Sequence, residues 1–282
     1  MLAHALVPEL VLAAPGECER FLPDAAAGEV EVWAGNDGFE AYGYTAGGHF
    51  WAHFPGTAAF RFLADDSRVV AIPDAGIWPE VVADVYCRNV LPLVLQLRGH
   101  EVLHASAVTT KHGLVVLCGV SGTGKSTFAY GLSMRGYTVW ADDAVALEID
   151  DDEVSAFQVP FRLGLRQDAA TFFAYESGDR MTVDAASSRS SVLALVILER
   201  SDEPAARLVD VTRLKPTDAF TALLPHAYYF TLSDPTRMAQ MIDRYLRLAS
   251  SVAAFDVRYR PGLAHSSAVL DEIERRVLAG VT

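Results

Sequence analysis

The sequence predicts an α/β fold with a mixed sheet, preceded by a smaller β-rich module, and three observations support this prediction. An apolar strand, a glycine-rich loop and a helix follow one another directly across residues 114–132. Short apolar segments separated by Gly, Asn, Asp and Pro fill residues 1–75, which is typical of strands joined by tight turns. Strand-like and helix-like segments mix from residue 99 onward. We therefore expect two domains, residues 1–98 and residues 99–282.

The N-terminal module is expected to contain short strands and to end in a helix. The strands are predicted at residues 30–33, 39–44, 49–54, 60–62 and 69–72. From Pro79 to residue 97 the apolar spacing becomes helical, with Pro79 suited to the first helical position and Gly99 lying beyond the C-terminus. Pro92 lies inside that helix and should kink or split it, because proline has no N–H to donate.

The second module is expected to alternate strands with helices. Its strands are predicted at residues 102–108, 114–118, 137–141, 144–149 and 192–198. The helix that follows the glycine-rich loop ends at Gly136. Asp234 and Pro235 begin a helix that runs to about residue 248, and a last helix covers about residues 267–278.

The most informative segment, residues 119–126, reads Gly-Val-Ser-Gly-Thr-Gly-Lys-Ser and matches the phosphate-binding pattern GxxxxGK[ST] at every fixed position. The glycines let successive backbone N–H groups converge on an anion, and the start of the following helix adds partial positive charge. In such a loop Lys125 reaches the outer phosphates and the Ser126 hydroxyl binds Mg²⁺. We predict binding of ATP with Mg²⁺, the preference over GTP being left open. The predicted nucleotide-binding residues are Gly119, Val120, Ser121, Gly122, Thr123, Gly124, Lys125, Ser126 and Thr127.

Two adjacent acids, Asp142 and Asp143, directly follow the predicted strand at residues 137–141. Residues leaving the C-terminal end of a strand in an α/β sheet project into the crevice where ligands bind. One carboxylate can hold Mg²⁺, with Ser126, and the other can accept the proton of an attacking hydroxyl. The two acids also repel each other, which raises one pKa unless a metal neutralises them. The sequence does not decide which aspartate has which role, and an ordinary acidic turn is the alternative.

His104 lies in the predicted strand that precedes the loop strand. A neutral imidazole at this place can orient an aspartate or relay its proton. The alternative is a histidine at a strand edge whose hydrogen bonds are satisfied and which has no catalytic role.

His104, the loop at residues 119–126 and the segment at residues 135–145, Arg-Gly-Tyr-Thr-Val-Trp-Ala-Asp-Asp-Ala-Val, together resemble the core of HPr kinase/phosphorylase and its relatives. The resemblance covers residues 100–150 well and the later region loosely. It implies a phosphoenolpyruvate-carboxykinase-like nucleotide fold. It also implies that the loop, with Lys125, holds ATP, that Asp142 and Asp143 support Mg²⁺ binding and hydroxyl deprotonation, and that His104 assists.

The chain departs from that family in three places. Thr127 stands where the family often has a metal-binding glutamate, and residues 162–166, Arg-Leu-Gly-Leu-Arg, only faintly resemble the Arg-Gly-Leu-Gly segment associated with the phosphorylase reaction. The N-terminal module more closely resembles that of HPr-kinase-like enzymes encoded with peptide natural products. Some of these enzymes phosphorylate the C-terminal serine of a lasso-peptide precursor.

Phosphoryl transfer spreads negative charge over the equatorial oxygens, so a second cation is expected beside Lys125. The candidates are Arg162, Arg166, Arg180 and Arg189. For each of them, a solvated surface arginine is the alternative.

Composition restricts the partners and the compartment. The formal net charge of −13 argues against nucleic-acid binding, which needs a cationic surface. The cysteines Cys18, Cys87 and Cys118 form no CxxC pattern and are expected to be reduced. No stretch is long and apolar enough to span a bilayer, and the N-terminus lacks the basic region of a signal peptide. We expect a cytoplasmic protein with no nucleic-acid or membrane partner; whether it forms a homo-oligomer stays open.

The predicted function is that of an ATP- and Mg²⁺-dependent kinase that phosphorylates a serine-type hydroxyl on a small peptide. A kinase for a free metabolite such as serine and a non-catalytic nucleotide-binding switch are the alternatives. Intact Lys125, Ser126 and both aspartates argue against the switch. A serine hydrolase is disfavoured because Thr123 replaces the second glycine that the pattern G-x-S-x-G requires around Ser121.

Overall fold

The structure is a computed structural model, and it describes residues 7–14, 30–34, 40–150, 153–175, 188–201, 207–228 and 234–279. The described residues up to Gly99 form one compact unit, and the described residues from His100 onward form a second. Among the residues considered above, Cys18 and Arg180 lie outside the described ranges.

Within the described residues, the first unit contains a six-stranded sheet in the order β1-β6-β5-β4-β3-β2. Its strands are β1 (Glu9–Leu12), β2 (Glu31–Ala34), β3 (Glu40–Ala46), β4 (His49–Phe54), β5 (Ala58–Phe62) and β6 (Arg68–Pro73). Strands β2 to β6 form an antiparallel meander, which confirms the predicted strands. Strand β1 pairs in parallel with β6. This strand was not predicted, because its partner is distant in sequence and no tight turn marks the pair.

The helical segment that follows is divided as Pro92 predicts. Helix α1 (Pro79–Val85) and helix α2 (Leu91–Leu97) are separated by a π-helical turn at Tyr86–Val90. In this turn the Leu91 N–H donates to the Tyr86 carbonyl, one residue further back than in an α-helix. Because Pro92 has no N–H, the regular bonding pattern cannot continue through this point.

The second unit contains nine strands and five α-helices among the residues described. The strands are β7 (Glu101–Leu103), β8 (Ala105–Thr110), β9 (Gly113–Cys118), β10 (Thr138–Ala141), β11 (Val145–Ile149), β12 (Val154–Phe157), β13 (Arg189–Arg200), β14 (Val209–Arg213) and β15 (Ala253–Tyr259). The helices are α3 (Lys125–Ser133), α4 (Gln167–Phe172), α5 (Pro216–Leu223), α6 (Pro235–Ser251) and α7 (Ser266–Ile273). Short 3-10 turns lie at Leu224–His226 and Leu263–His265, and a π-helical turn at Glu274–Leu278 extends α7.

The sheet of this unit is mixed, as predicted. Its strand order is β10-β8-β9-β13-β12-β11-β7, and β15 pairs with β13 and β14. Strands β9, β13 and β15 are parallel, whereas β8 lies antiparallel between β9 and β10. Strands β9 and β10 therefore run in the same direction, and their C-terminal ends lie at the same edge. This places the loop after β9 beside the aspartates after β10.

The strand predicted at residues 102–108 is interrupted at His104. Its first part, β7, pairs with β11, whereas β8 pairs with β9 and β10. At the break, the His104 N–H donates to the carbonyl of His226 at 2.7 Å. A change of strand partner leaves no mark in the apolar pattern, which is why the sequence indicated one continuous strand.

Apolar side chains cover both faces of the sheet. Alternate residues of β9 face opposite sides, so that Leu114 and Val116 pack in one cluster and Val115 and Leu117 in another. Helices α5 and α6 contribute to the first cluster, and α3 and α7 to the second. Across the described ranges, no helix has the length and hydropathy needed to cross a bilayer.

Candidate active site

The glycine-rich loop, residues 119–126, connects β9 to α3 and is tightly folded. A Cβ on Gly119 would lie 2.9 Å from the Leu198 carbonyl oxygen, so no side chain fits at this position. Gly124 has a φ of 89° and precedes the first helical residue, Lys125. The left-handed conformation of Gly124 makes a compact entry into the helix, which other residues would adopt only with strain.

The start of α3 presents backbone N–H donors. The first helical bond runs from the Phe128 N–H to the Gly124 carbonyl at 2.8 Å. The N–H groups of Lys125, Ser126 and Thr127 therefore have no carbonyl partner within the helix, as at any helix N-terminus. Together with the positive end of the helix dipole, these donors suit an anionic phosphate group.

Lys125 is buried at the base of the loop, with 7% of its surface exposed. Its ammonium donates to the Gly119 carbonyl at 2.9 Å and to His104 Nε2 at 3.2 Å. An ammonium has three N–H donors, so one remains for a ligand. Burial lowers the pKa of Lys125, and the negative charge of Asp143 opposes this shift.

Asp142 connects the loop to the end of β10. Its Oδ1 accepts hydrogen bonds from Ser126 Oγ at 2.8 Å and from Ser106 Oγ at 2.6 Å, and its Oδ2 accepts one from the Gly164 N–H at 3.0 Å. Burial, and next the charge of Asp143, raises the pKa of Asp142 to about 6, although the three hydrogen bonds favour its ionised form.

Asp143 adopts a left-handed backbone conformation, with a φ of 65°. Its carbonyl oxygen lies 3.0 Å from His104 Nδ1 and 3.4 Å from the Tyr228 hydroxyl. The charge of Asp143 acts on Lys125 and on His104, raising the pKa of both against the effect of burial. The backbone of Asp143 is thus joined to His104, which in turn accepts from the lysine of the loop.

The hydrogen bonds of His104 define its tautomer. Because the Lys125 ammonium can only donate, Nε2 of His104 accepts, and Nδ1 carries the proton that is donated to the Asp143 carbonyl. Burial, followed by the charge of Lys125, lowers the pKa of His104 and keeps this ring neutral. His226 is buried nearby, and burial, followed by the charge of Lys125, lowers its pKa to about 4.

Of the arginines proposed for the second cation, Arg166 reaches the loop. Its guanidinium lies 3.3 Å from the position that a Cβ on Gly122 would occupy, and its charge lowers the pKa of Lys125. Arg189 instead pairs with Glu148 at 2.7 Å. Arg162 is half-buried on the same segment as Arg166.

The structure brings Lys125, Ser126, Asp142, Asp143 and His104 together at one edge of the sheet. Val120, on the same loop, has 62% of its surface exposed. Sequence reasoning missed several residues of the cluster, namely Ser106, Gly164, Tyr228 and His226. Ser106 follows His104 by two positions on the next strand, so the alternation of side chains was the one signal that could have indicated it.

A magnesium site fits the donors present. In the described part of the chain no group of three or more His, Cys, Asp and Glu side chains is arranged to hold a metal ion alone. Mg²⁺ ordinarily takes one or two carboxylates and completes its shell with water and substrate phosphates. Asp142 with the Ser126 hydroxyl at 2.8 Å is a donor set of this kind, beside the N–H groups that suit the phosphates.

Comparison with known proteins gives little further information. No family model matches the chain, and no curated protein is similar to it. Among solved structures, a similar chain is the Hpr(Ser) kinase/phosphatase from Coxiella burnetii, with 13% identity and a TM-score of 0.34 over 64% of this chain and 92% of that chain. A TM-score this low supports no inference about function, so the interpretation of the site rests on its own residues.

Proposed function

We propose that the protein is a kinase that transfers the γ-phosphoryl group of ATP to a hydroxyl group. The observation that carries this proposal is the hydrogen bond of 2.8 Å between Ser126 and Asp142, which joins the glycine-rich loop to the acidic pair. A second carboxylate, that of Asp143, acts electrostatically on Lys125 and supports a role beyond nucleotide binding. A phosphate cradle beside acidic side chains supports this proposal, because phosphoryl transfer needs both.

Each residue of the site takes one role in the transfer. The N–H groups of the loop and Lys125 bind the β- and γ-phosphates. Ser126 and Asp142 would hold Mg²⁺, which neutralises charge on the phosphate oxygens. Asp143 accepts the proton of the acceptor hydroxyl, whose oxygen forms a bond to the γ-phosphorus while the bond from phosphorus to the bridging oxygen of ADP breaks. His104 holds the backbone of Asp143 and one N–H of Lys125.

Arg166 supplies the second cation in this proposal. Its guanidinium lies against the loop at Gly122, 3.3 Å from the position of a Cβ there. The segment that carries it is attached to the site, since the Gly164 N–H binds Asp142 at 3.0 Å. A planar guanidinium can contact two phosphoryl oxygens at once, which suits charge that is spread in the transition state.

The acceptor we propose is a serine hydroxyl of a small peptide, in particular the C-terminal serine of a lasso-peptide precursor. The proposal rests on the resemblance of the N-terminal module in sequence. Free serine is the second candidate acceptor, and the experiment below separates the two.

The test incubates the full chain with Mg-ATP and a serine-terminated precursor peptide, or with free serine, and measures product masses. A gain of about 80 Da on one acceptor identifies it, since that is the mass of one phosphoryl group. Asp143→Asn should abolish the gain while ATP binding by calorimetry is kept, and Lys125→Ala should weaken both. Serine phosphate would support the metabolite kinase, and binding without any transfer would support the non-catalytic switch. Absence of binding heat with ATP or GTP would exclude all three.

A further inference from the structure

Tyr259, at the end of β15, contacts the glycine-rich loop from the side of the core. It is buried, with 4% of its surface exposed, and its ring packs edge-on against Phe128 at a centroid distance of 5.2 Å. The Tyr259 hydroxyl donates a hydrogen bond to the carbonyl oxygen of Thr123. We infer that Tyr259 is a positioning residue, which holds the loop in the shape that presents the Gly124 N–H to the triphosphate.

The geometry of the peptide bond links the two groups. In a planar trans peptide, the carbonyl of Thr123 and the N–H of Gly124 point in opposite directions. The described residues contain no cis peptide bond. Because Tyr259 draws the Thr123 carbonyl towards the core, the Gly124 N–H points away from the core, to the side where a ligand can enter.

The peptide unit needs such support because glycines surround it. Gly122 and Gly124 have φ values of 87° and 89°, and glycine reaches many other conformations at little cost. The N–H and the hydroxyl of Thr123 both bind the Val120 carbonyl, at 3.1 Å and 2.8 Å. Tyr259 holds the remaining polar group of Thr123, its carbonyl, and so completes the restraint.

Arg200 supports this hydrogen bond by donating to the same hydroxyl. Its Nε lies 3.4 Å from the Tyr259 hydroxyl, and Arg200 and Tyr259 are paired in register on β13 and β15. A guanidinium has only donors, so the hydroxyl oxygen accepts from Arg200 and its proton is left for Thr123. Arg200 is exposed, so it can be replaced without disturbing the core.

The test compares two tyrosines by calorimetric titration of the full chain with Mg-ATP. Tyr245 is the matched control, because it is also buried and its hydroxyl also donates to a backbone carbonyl, that of Val102 at 3.2 Å. Each phenylalanine variant loses one buried hydrogen bond, so the two substitutions are equivalent in size. We expect Tyr259→Phe to weaken ATP binding about tenfold, because its hydrogen bond holds the loop, and Tyr245→Phe to weaken it by less than about twofold. In steady-state assays, Tyr259→Phe should raise KM for ATP and leave kcat at saturation nearly unchanged.

Each outcome is decisive. The inference rests on the proposed function, so a wild-type protein that does not bind Mg-ATP overturns both. If the wild type binds and Tyr259→Phe binds equally well, or if both phenylalanine variants lose affinity equally, the inference fails and the proposed function stands. Should Tyr259→Phe not fold, Arg200→Gln replaces it in the titration. We expect that variant to weaken binding about threefold, since it removes one hydrogen bond to the tyrosine; unchanged affinity would overturn the inference.

Discussion

Single residues determine the chemistry of the proposed site, and Arg166 is the one whose role is most directly testable. Arg166→Gln should lower kcat by about a hundredfold, because it removes a cation that stabilises developing charge, with a smaller effect on ATP binding. Arg189→Gln is the matched control, because Arg189 pairs with Glu148. This variant should leave kcat unchanged. The measurement is steady-state phosphorylation of the identified acceptor. Equal rates for Arg166→Gln and the wild type would show that another group supplies the charge.

The raised pKa of Asp142 predicts an effect of pH on stability. Between its ordinary pKa of 3.8 and its folded value of about 6, the folded protein holds a proton that the unfolded chain has lost. The free energy of unfolding should therefore fall as the pH rises through this range, by on the order of 2 kcal/mol from this group.

Asp142→Asn isolates the contribution of this carboxyl group. In urea unfolding without Mg²⁺ or nucleotide, the variant should gain about 2 kcal/mol relative to the wild type between pH 4 and pH 7. The wild type measured under the same conditions corrects for other titrating groups, including His226. Parallel pH profiles for the two proteins would contradict the assignment.

The residues of the site differ in how far the sequence could predict them. The glycine-rich loop and the acidic pair were predicted because each is contiguous, and spacing alone defines the pattern. Tyr259 is 136 positions from Thr123, and Tyr228 is 124 positions from His104. No local pattern records such pairings, so only the folded chain reveals them.

At the scale of elements, helix α6 shows how a buried charge attaches a helix to the sheet. The Glu101 carboxylate on β7 is fully buried and accepts from Arg237 at 2.8 Å and from Arg244 at 3.1 Å. Asp234 caps the same helix by accepting from the N–H groups of Thr236 and Arg237, as its sequence predicts. The cap could be predicted from neighbouring residues, whereas the ion pairs join residues that are far apart in sequence.

Two arginines of α6 provide a matched comparison. Arg237→Gln should reduce the free energy of unfolding by about 2–3 kcal/mol, because it leaves Glu101 with less compensation in a buried place. Arg247→Gln should cost less than about 0.5 kcal/mol, because its pair with Asp243 is exposed. Urea unfolding measures the loss of unfolding free energy in each variant. Similar losses for the two variants would show that Glu101 does not hold the helix.

At the scale of the whole molecule, the chain divides into two compact units, and the described residues of each contain buried apolar clusters. In the first unit Tyr44, Trp51 and Ala59 pack together, and in the second the two faces of the mixed sheet carry their own clusters. The change in segment pattern near residue 99 predicted two domains, and turn residues predicted most strands of the first. The strand order of the second was not predictable, because β13 pairs with strands from distant parts of the chain.

The apolar clusters within the second unit predict that this unit folds on its own. Residues 100–282 produced alone should fold and bind Mg-ATP within about threefold of the affinity of the full chain, because the described residues of this unit include both buried clusters on the faces of its sheet. Circular dichroism and calorimetry measure the two properties, with the fragment carrying Lys125→Ala as the control for binding. A fragment that is unfolded, or that is folded and does not bind ATP, would contradict this prediction.

The backbone at Asp143 has a consequence for how this protein could change in evolution. Its φ of 65° is tolerated by few residue types, chiefly glycine, asparagine and aspartate. An aspartate codon becomes an asparagine codon by one nucleotide change, and the resulting chain would keep its shape while losing the proposed base. Under the proposed function, a single substitution would thus turn a kinase into a nucleotide-binding protein without catalysis, and the fold would be kept.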